Sequence, residues 1–207
     1  MRLFVFARHG ESVLNIERRI NGDPSVDVPL TEEGRSQARK LGVEVANIGF
    51  DLCLHTRFSR TRETAEIALD GRHVPLMEEP LLDDIDVGDL EGETLEAYQA
   101  WKHSHARGMA FPGGESLDDA ALRYAQAFRR LLKLPHDTLL VVTHEIPIRY
   151  ALNGAGGSTP SMGRRTRSKT PWHTSSTTSR SCGPLTASRR SWPGRLAHVQ
   201  TGEPHGG

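Results

Sequence analysis

The chain has 207 residues, of which 36% are apolar, enough for one domain with a sizeable core and ordinary for a soluble globular protein. Its 26 basic and 26 acidic residues balance only because two unlike parts cancel: after Asn153 there are 8 basic residues and 1 acidic. No apolar stretch approaches the roughly 18 residues that cross a bilayer, and residues 1–6 are too short for the apolar centre of a signal peptide, which argues against a membrane span and points to the cytoplasm. Cys53 lies in an apolar run and Cys182 in the basic tail. Neither has metal-ligand spacing around it, so both read as reduced and structural.

In chain order, residues 3–7 form a short apolar run that ends in Arg8-His9-Gly10, the pattern of a buried strand meeting a glycine turn. Thr31-Glu32-Glu33 combines a capping hydroxyl with acids in a first helical turn, and Ala38, Leu41, Val45 and Ile48 then recur at helical spacing. Residues 51–56 are a second candidate strand, 59–69 a second helix and 74–77 a short edge strand. Ser116 opens another helix with a stripe of Leu117, Ala120, Tyr124, Ala127, Phe128 and Leu131, and residues 138–143 make a strongly apolar strand ending at His144. Strands alternating with helices predict a mostly parallel sheet covered on both faces, a three-layer α/β/α sandwich, with ligands collecting at the carboxyl ends of the strands.

Two apolar strands thus each deliver a histidine. A phosphoryl group in transit spreads charge over its oxygens, so its site needs fixed cationic donors, an in-line nucleophile and an acid for the leaving oxygen. His9 is the candidate nucleophile, because neutral imidazole is nucleophilic near pH 7 and phosphohistidine is labile enough to hydrolyse again. Arg8 and Arg60 supply guanidinium forks that Lys does not reproduce, and His144 is a candidate for one more donated hydrogen bond.

Arg8-His9-Gly10-Glu11-Ser12 with Asn15, followed at matching distance by Leu30-Thr31-Glu32-Glu33-Gly34 and Gln37-Ala38, resembles the opening of the histidine phosphatase superfamily, also called the phosphoglycerate mutase-like family. Ser59-Arg60-Thr61-Arg62-Glu63-Thr64-Ala65 resembles its second arginine motif, and Gly88-Asp89-Leu90-Glu91-Gly92 its acid loop. Pro112-Gly113-Gly114-Glu115-Ser116 and the strand leading to His144 complete the likeness, which spans residues 1–153. The resemblance implies a phosphoglycerate mutase-like fold in which His9 is phosphorylated and Arg8, Asn15, Arg60 and His144 bind the substrate's phosphate. It implies no cofactor and no metal.

Two positions depart from the family's pattern. The proton donor is usually a Glu four residues before the glycine matching Gly88, and Asp84 stands there, one methylene shorter, with Asp83, Asp86 and Glu91 as competitors. Crowded like charges are expected to raise the pKa of one carboxyl, and Asp83 and Asp89 read as a solvated acidic loop. After the second histidine the family commonly has two glycines, whereas this chain has Glu145-Ile146, which is expected to alter the pocket rim. His103 and His105 sit at a helical spacing that points their rings apart, which argues against a metal site, and His55, His73 and His136 read as structural or exposed.

Residues 154–207 are rich in Ser, Thr, Arg, Pro and Gly and poor in aliphatic residues, so a mostly disordered basic tail is expected. Its arginines lack interleaved aromatics or an amphipathic period, so neither nucleic acid nor a membrane is the expected partner. The abrupt change near Gly157 reads as a frameshift. Taking each codon of residues 159–176 from its third base permits Asn and, after two intervening residues, Ala-Tyr, like the family's closing Asn-containing strand. Its loss would expose an apolar sheet edge.

The function implied is hydrolysis of a small phosphomonoester through phospho-His9. About 20 residues separate Gly92 from Pro112, where mutases of the family carry a longer insertion enclosing a bisphosphate. A mutase and a catalytically impaired phospho-ligand binding module stay open as alternatives, as does a homodimer. Residues 21–29 and 95–111 are the expected substrate-selective loops.

Overall fold

The computed structural model describes residues 2–155, 186–190 and 196–201. Strand β1 (Arg2–Arg8) leads through a one-turn helix α1 (Val13–Ile16) to helix α2 (Glu32–Glu44), strand β2 (Leu52–His55), helix α3 (Ser59–Ala68) and strand β3 (Leu76–Glu78). Helices α4 (Leu95–Ser104) and α5 (Leu117–Leu131), strand β4 (Thr138–Thr143) and helix α6 (Glu145–Ala155) follow, then strands β5 (Thr186–Arg190) and β6 (Leu196–Thr201). Among the described residues no helix is long and apolar enough to cross a membrane.

The helix starts follow their caps. Thr31 accepts from the Gly34 N–H at 2.9 Å ahead of α2, and Ser116 with Asp119 forms a reciprocal capping box ahead of α5, whose last turn carries Arg129 and Arg130 against the negative end of its dipole.

The six strands form one sheet in the order β3-β2-β4-β1-β6-β5, with β1 to β4 mutually parallel and β6 antiparallel to β1. The layers follow from period-two alternation. Phe4, Phe6, Leu52, Leu54, Leu139 and Val141 pack with α5 and α6, while Val5, Ala7, Cys53, Leu140 and Val142 pack with α2 and α3. Each fully buried side chain of this size is worth roughly 1.5–3 kcal/mol relative to exposure. This is the α/β/α sandwich expected, and the edge strand β3 lies close to its predicted place.

The path of the chain positions the site. It leaves β1 towards the α2 face and leaves the adjacent β4 towards the α6 face, so a crevice opens between their carboxyl ends. In the parallel register Arg8 lies opposite Thr143. The next residues on the two strands are His9 and His144.

A mostly disordered segment is expected beyond Asn153, and most of it lies outside the described residues; of those described, α6 runs on to Ala155 and β6 lies along β1, pairing Arg2 with Thr201 through to Phe6 with Ala197. The free edge of β1 offers backbone donors and acceptors, and a ladder along it needs no particular side chains, so a composition argument misses it. Residues 159–176, on which the frameshift reading rests, and Cys182 lie outside the described residues.

Candidate active site

His9 caps β1, its N–H bonded to the Thr143 carbonyl at 3.0 Å. Its Nδ1 lies 2.7 Å from the carbonyl oxygen of Gly10, an obligate acceptor, so Nδ1 carries the proton and Nε2 keeps its lone pair. The Nε–H of Arg60 points at that Nε2 from 3.2 Å. Burial, with Arg60 and Arg8 alongside, holds the imidazole well below the usual histidine pKa, so it is neutral at pH 7. The turn after it is tight: a Cβ on Gly10 would run into the backbone of Gly34, and one on Gly34 into that of Glu11. The Gly10 N–H donates to the Thr64 hydroxyl (3.0 Å), which donates to the Arg60 carbonyl (2.7 Å), so the histidine turn is clipped to α3.

Arg60, in the first turn of α3, is 4% exposed. It donates through Nη1 to the side-chain oxygen of Asn21 and through Nη2 to the Asn21 carbonyl (3.2 Å) and to Nδ1 of His144 (3.3 Å). Its guanidinium also lies 4.2 Å from the Phe58 ring centre. Burial pushes its pKa down to about 10, which still leaves it cationic at neutral pH.

His144 is fully buried, and its tautomer follows from its partners. The Thr61 hydroxyl donates to the Phe58 carbonyl (2.8 Å), the Thr56 hydroxyl therefore donates to Thr61 (2.9 Å), and His144 Nε2–H donates to Thr56 (3.0 Å). A hydrogen-bond donor towards phosphate was expected of His144. In this state its Nδ1 instead faces the site as an acceptor, because burial, with Arg60, His9 and Arg8 nearby, keeps the ring neutral.

The carboxylates separate by partner. Asp84, 28% exposed at its side chain, places Oδ2 3.6 Å from His144 Nδ1. Its pKa is raised by burial, against the pull of Arg60, and not by crowded carboxylates as expected. Asp83 is not solvated but buried, holding the Arg57 N–H (3.0 Å) and side chain (2.6 Å). Asp86 receives the Gly88 N–H, and Glu91 receives Asn21 Nδ2 (2.7 Å) and the N–H groups of Gly22 and Asp23, which makes it a strut for the loop that holds Arg60. Asp89 is exposed.

His9, Arg60, His144 and Asp84 are thus brought together. Arg8, 34% exposed, lies beside them with Nη1 3.2 Å from Glu145, which also pairs with Arg149 at 2.6 Å. Asn15 is exposed on α1, where its oxygen accepts the Ser12 N–H (3.1 Å), and it does not join the Arg60 network. Sequence reasoning missed Asn21, Thr56 and Phe58, single polar or aromatic residues in loops with no pattern to mark them. Thr61 and Thr64 lay inside the quoted arginine motif, which was the available signal. His55 is buried against the Thr56 carbonyl, His105 stacks on Trp101, and His73 and His103 are exposed. No group of three or more His, Cys, Asp or Glu among the described residues converges as metal ligands do.

A neutral, tautomer-fixed imidazole thus stands beside a buried guanidinium and a carboxyl whose pKa is raised, a set suited to phosphoryl capture. The profile of the "Histidine phosphatase superfamily (branch 1)" matches residues 4–184. "Probable phosphoglycerate mutase GpmB" of Erwinia tasmaniensis is 32% identical over 168 residues, 77% of each chain, and "2,3-bisphosphoglycerate-dependent phosphoglycerate mutase 2" of Gloeobacter violaceus is 36% identical over 140, 62% of each. The alpha-ribazole phosphatase structure from Shigella flexneri superposes with a TM-score of 0.68 at 25% identity, covering 76% of this chain and 81% of that one. With its two strand-end histidines and this match along most of its length, the chain belongs to the histidine phosphatase superfamily.

Proposed function

We propose that the protein hydrolyses a small phosphomonoester through a phosphohistidine. The observation that carries this is the fixed tautomer of His9, whose Nδ1 proton is spent on the Gly10 carbonyl so that Nε2 is bare and aimed towards the Arg60 guanidinium. The substrate's phosphate is gripped by Arg60 and Arg8, with the amide of Asn15 reaching from the solvent side. Nε2 of His9 attacks phosphorus as the phosphorus–oxygen bond to the alcohol breaks, and Asp84 gives its proton to the departing oxygen. Water then attacks phospho-His9, passing a proton back to Asp84 and releasing inorganic phosphate. His144 stays neutral and accepts from Arg60 at Nδ1, which holds that guanidinium in place for the phosphate. No step calls on a cofactor.

The names of the relatives favour a second reading, in which the phosphoryl group returns to a bound product. The segment between Gly92 and Pro112 argues for hydrolysis, because α4 and one loop fill it without the room for an enclosing insertion. Incubation with a labelled ester should give acid-labile label on the wild type and none on His9→Ala, with release of inorganic phosphate. Full turnover by His9→Ala would overturn the proposal, and interconversion of 2- and 3-phosphoglycerate without phosphate release would favour the mutase.

A further inference from the structure

The rim of the site holds an anion of its own. Glu145 opens α6 directly after His144, and its carboxylate lies between two guanidinium groups, 3.2 Å from Arg8 and 2.6 Å from Arg149. Arg8 is also the cation at the end of β1 beside His9, so a phosphate gripped there sits within a few ångströms of the Glu145 carboxylate. Its side chain is 32% exposed, so water screens it only in part, and a second negative charge brought in by the substrate meets it at close range.

The same end of the sheet points the same way. A cavity of about 540 Å³, walled by the tips of β2 and β3 and the loops after them, is lined by Asp23, Glu78 and Asp86. Its one cation, Arg57, is already bound to Asp83 at 2.6 Å. Asp23 stands two residues after Asn21, which holds Arg60, and Asp86 two residues after Asp84, so the loops that carry this acidic wall also carry the partner of Arg60 and the acid. Carboxylates accept hydrogen bonds and donate none. They fit an alcohol that brings hydroxyl or ammonium donors.

We infer that Glu145 makes this site selective for phosphomonoesters whose alcohol part donates hydrogen bonds and carries no negative charge, and turns away those that carry a carboxylate. The inference rests on the hydrolase reading for its kinetic form alone, since the discrimination acts at binding. Specificity of this kind works by repulsion: Glu145 costs some affinity for every phosphate through Arg8, and costs most for a substrate with a second anion.

Glycerol 3-phosphate and 3-phosphoglycerate test this directly, because they differ by a hydroxymethyl in place of a carboxylate. The wild type is expected to favour glycerol 3-phosphate by about tenfold or more in kcat/KM, the difference lying in KM. Glu145→Gln should bring that ratio to within about twofold and strengthen the binding of inorganic phosphate, whereas Glu145→Asp, which keeps the charge, should keep the preference. Circular dichroism checks that each variant is folded, and calorimetry with the two esters reads the same ratio as dissociation constants. If neither ester releases phosphate, neither is a substrate of the hydrolase, and the binding ratio still decides the role of Glu145. An unchanged ratio in Glu145→Gln, or its collapse in Glu145→Asp, overturns the inference.

Discussion

His9 and Asp84 make opposite demands on pH. Attack needs His9 neutral, and its lowered pKa means that this form persists well below pH 6.5, with activity lost only as pH falls through that lowered value. Protonation of the leaving oxygen needs Asp84 to hold a proton, and its raised pKa extends that form above the usual 3.8, with activity lost as pH rises through the raised value. The kcat/KM profile, corrected for ionisation of the ester, is therefore expected to be a bell centred on the acid side of neutrality. Asp84→Asn should remove the alkaline limb and lower kcat roughly 10²–10⁴-fold; an alkaline limb that survives would assign the acid elsewhere. Arg60 is a second test at this scale. Its fork serves Asn21, His9 and His144 at once, which a point ammonium does not reproduce, so Arg60→Lys should weaken phosphate binding by at least tenfold in calorimetry.

At the scale of elements, the acid is held by a loop docked on another loop. Gly88 has φ +52°, and a Cβ there would overlap the Pro112 carbonyl and the Gly113 backbone, while the Asp89 N–H donates to that carbonyl at 2.8 Å. Gly88→Ala adds backbone strain of about 1–3 kcal/mol and pushes the two loops apart. Its expected signature is a fall in kcat with little change in phosphate affinity, because Arg60 and His9 lie on other elements; equal losses in both would mean that the loop also builds the phosphate pocket. Much of this scale was legible in the sequence. β1 and β4 announce themselves as apolar runs ending in His9 and His144, and α5 as a stripe behind a capping box. The pairing of β1 with β4 was not legible, because 129 residues separate the strands and nothing local encodes the register that sets the two histidines side by side. Asn21 and Thr56 stayed hidden for the same reason, since their partners are fixed by tertiary approach alone. Glu91 stood as a competitor to Asp84 because a carboxylate that accepts N–H bonds and one that donates a proton look alike until their partners are seen.

For the whole molecule, the question is what closes the sheet beside β1. β1 carries His9 at its end, so any loosening of its outer edge is felt at the nucleophile. Five residue pairs join β1 to β6 in the antiparallel ladder, from Arg2 with Thr201 to Phe6 with Ala197. A shifted reading frame would put a different segment at this edge. Sequencing both strands of the gene decides that, and an unbroken frame leaves β6 as the native partner. The two cases differ in energy. Each ladder hydrogen bond contributes about 0.5–1.5 kcal/mol net, so β6 as a true partner supplies several kcal/mol of a total that in domains of this kind is about 5–15 kcal/mol. A chain ending at residue 185 is therefore expected to unfold at a clearly lower urea concentration than the full chain. It should also associate, because the bare edge of β1 is a template for another strand, and light scattering reads that directly. An unchanged urea midpoint with a monodisperse sample would mean that β6 contributes nothing to the fold and that β1 is held by β4 alone.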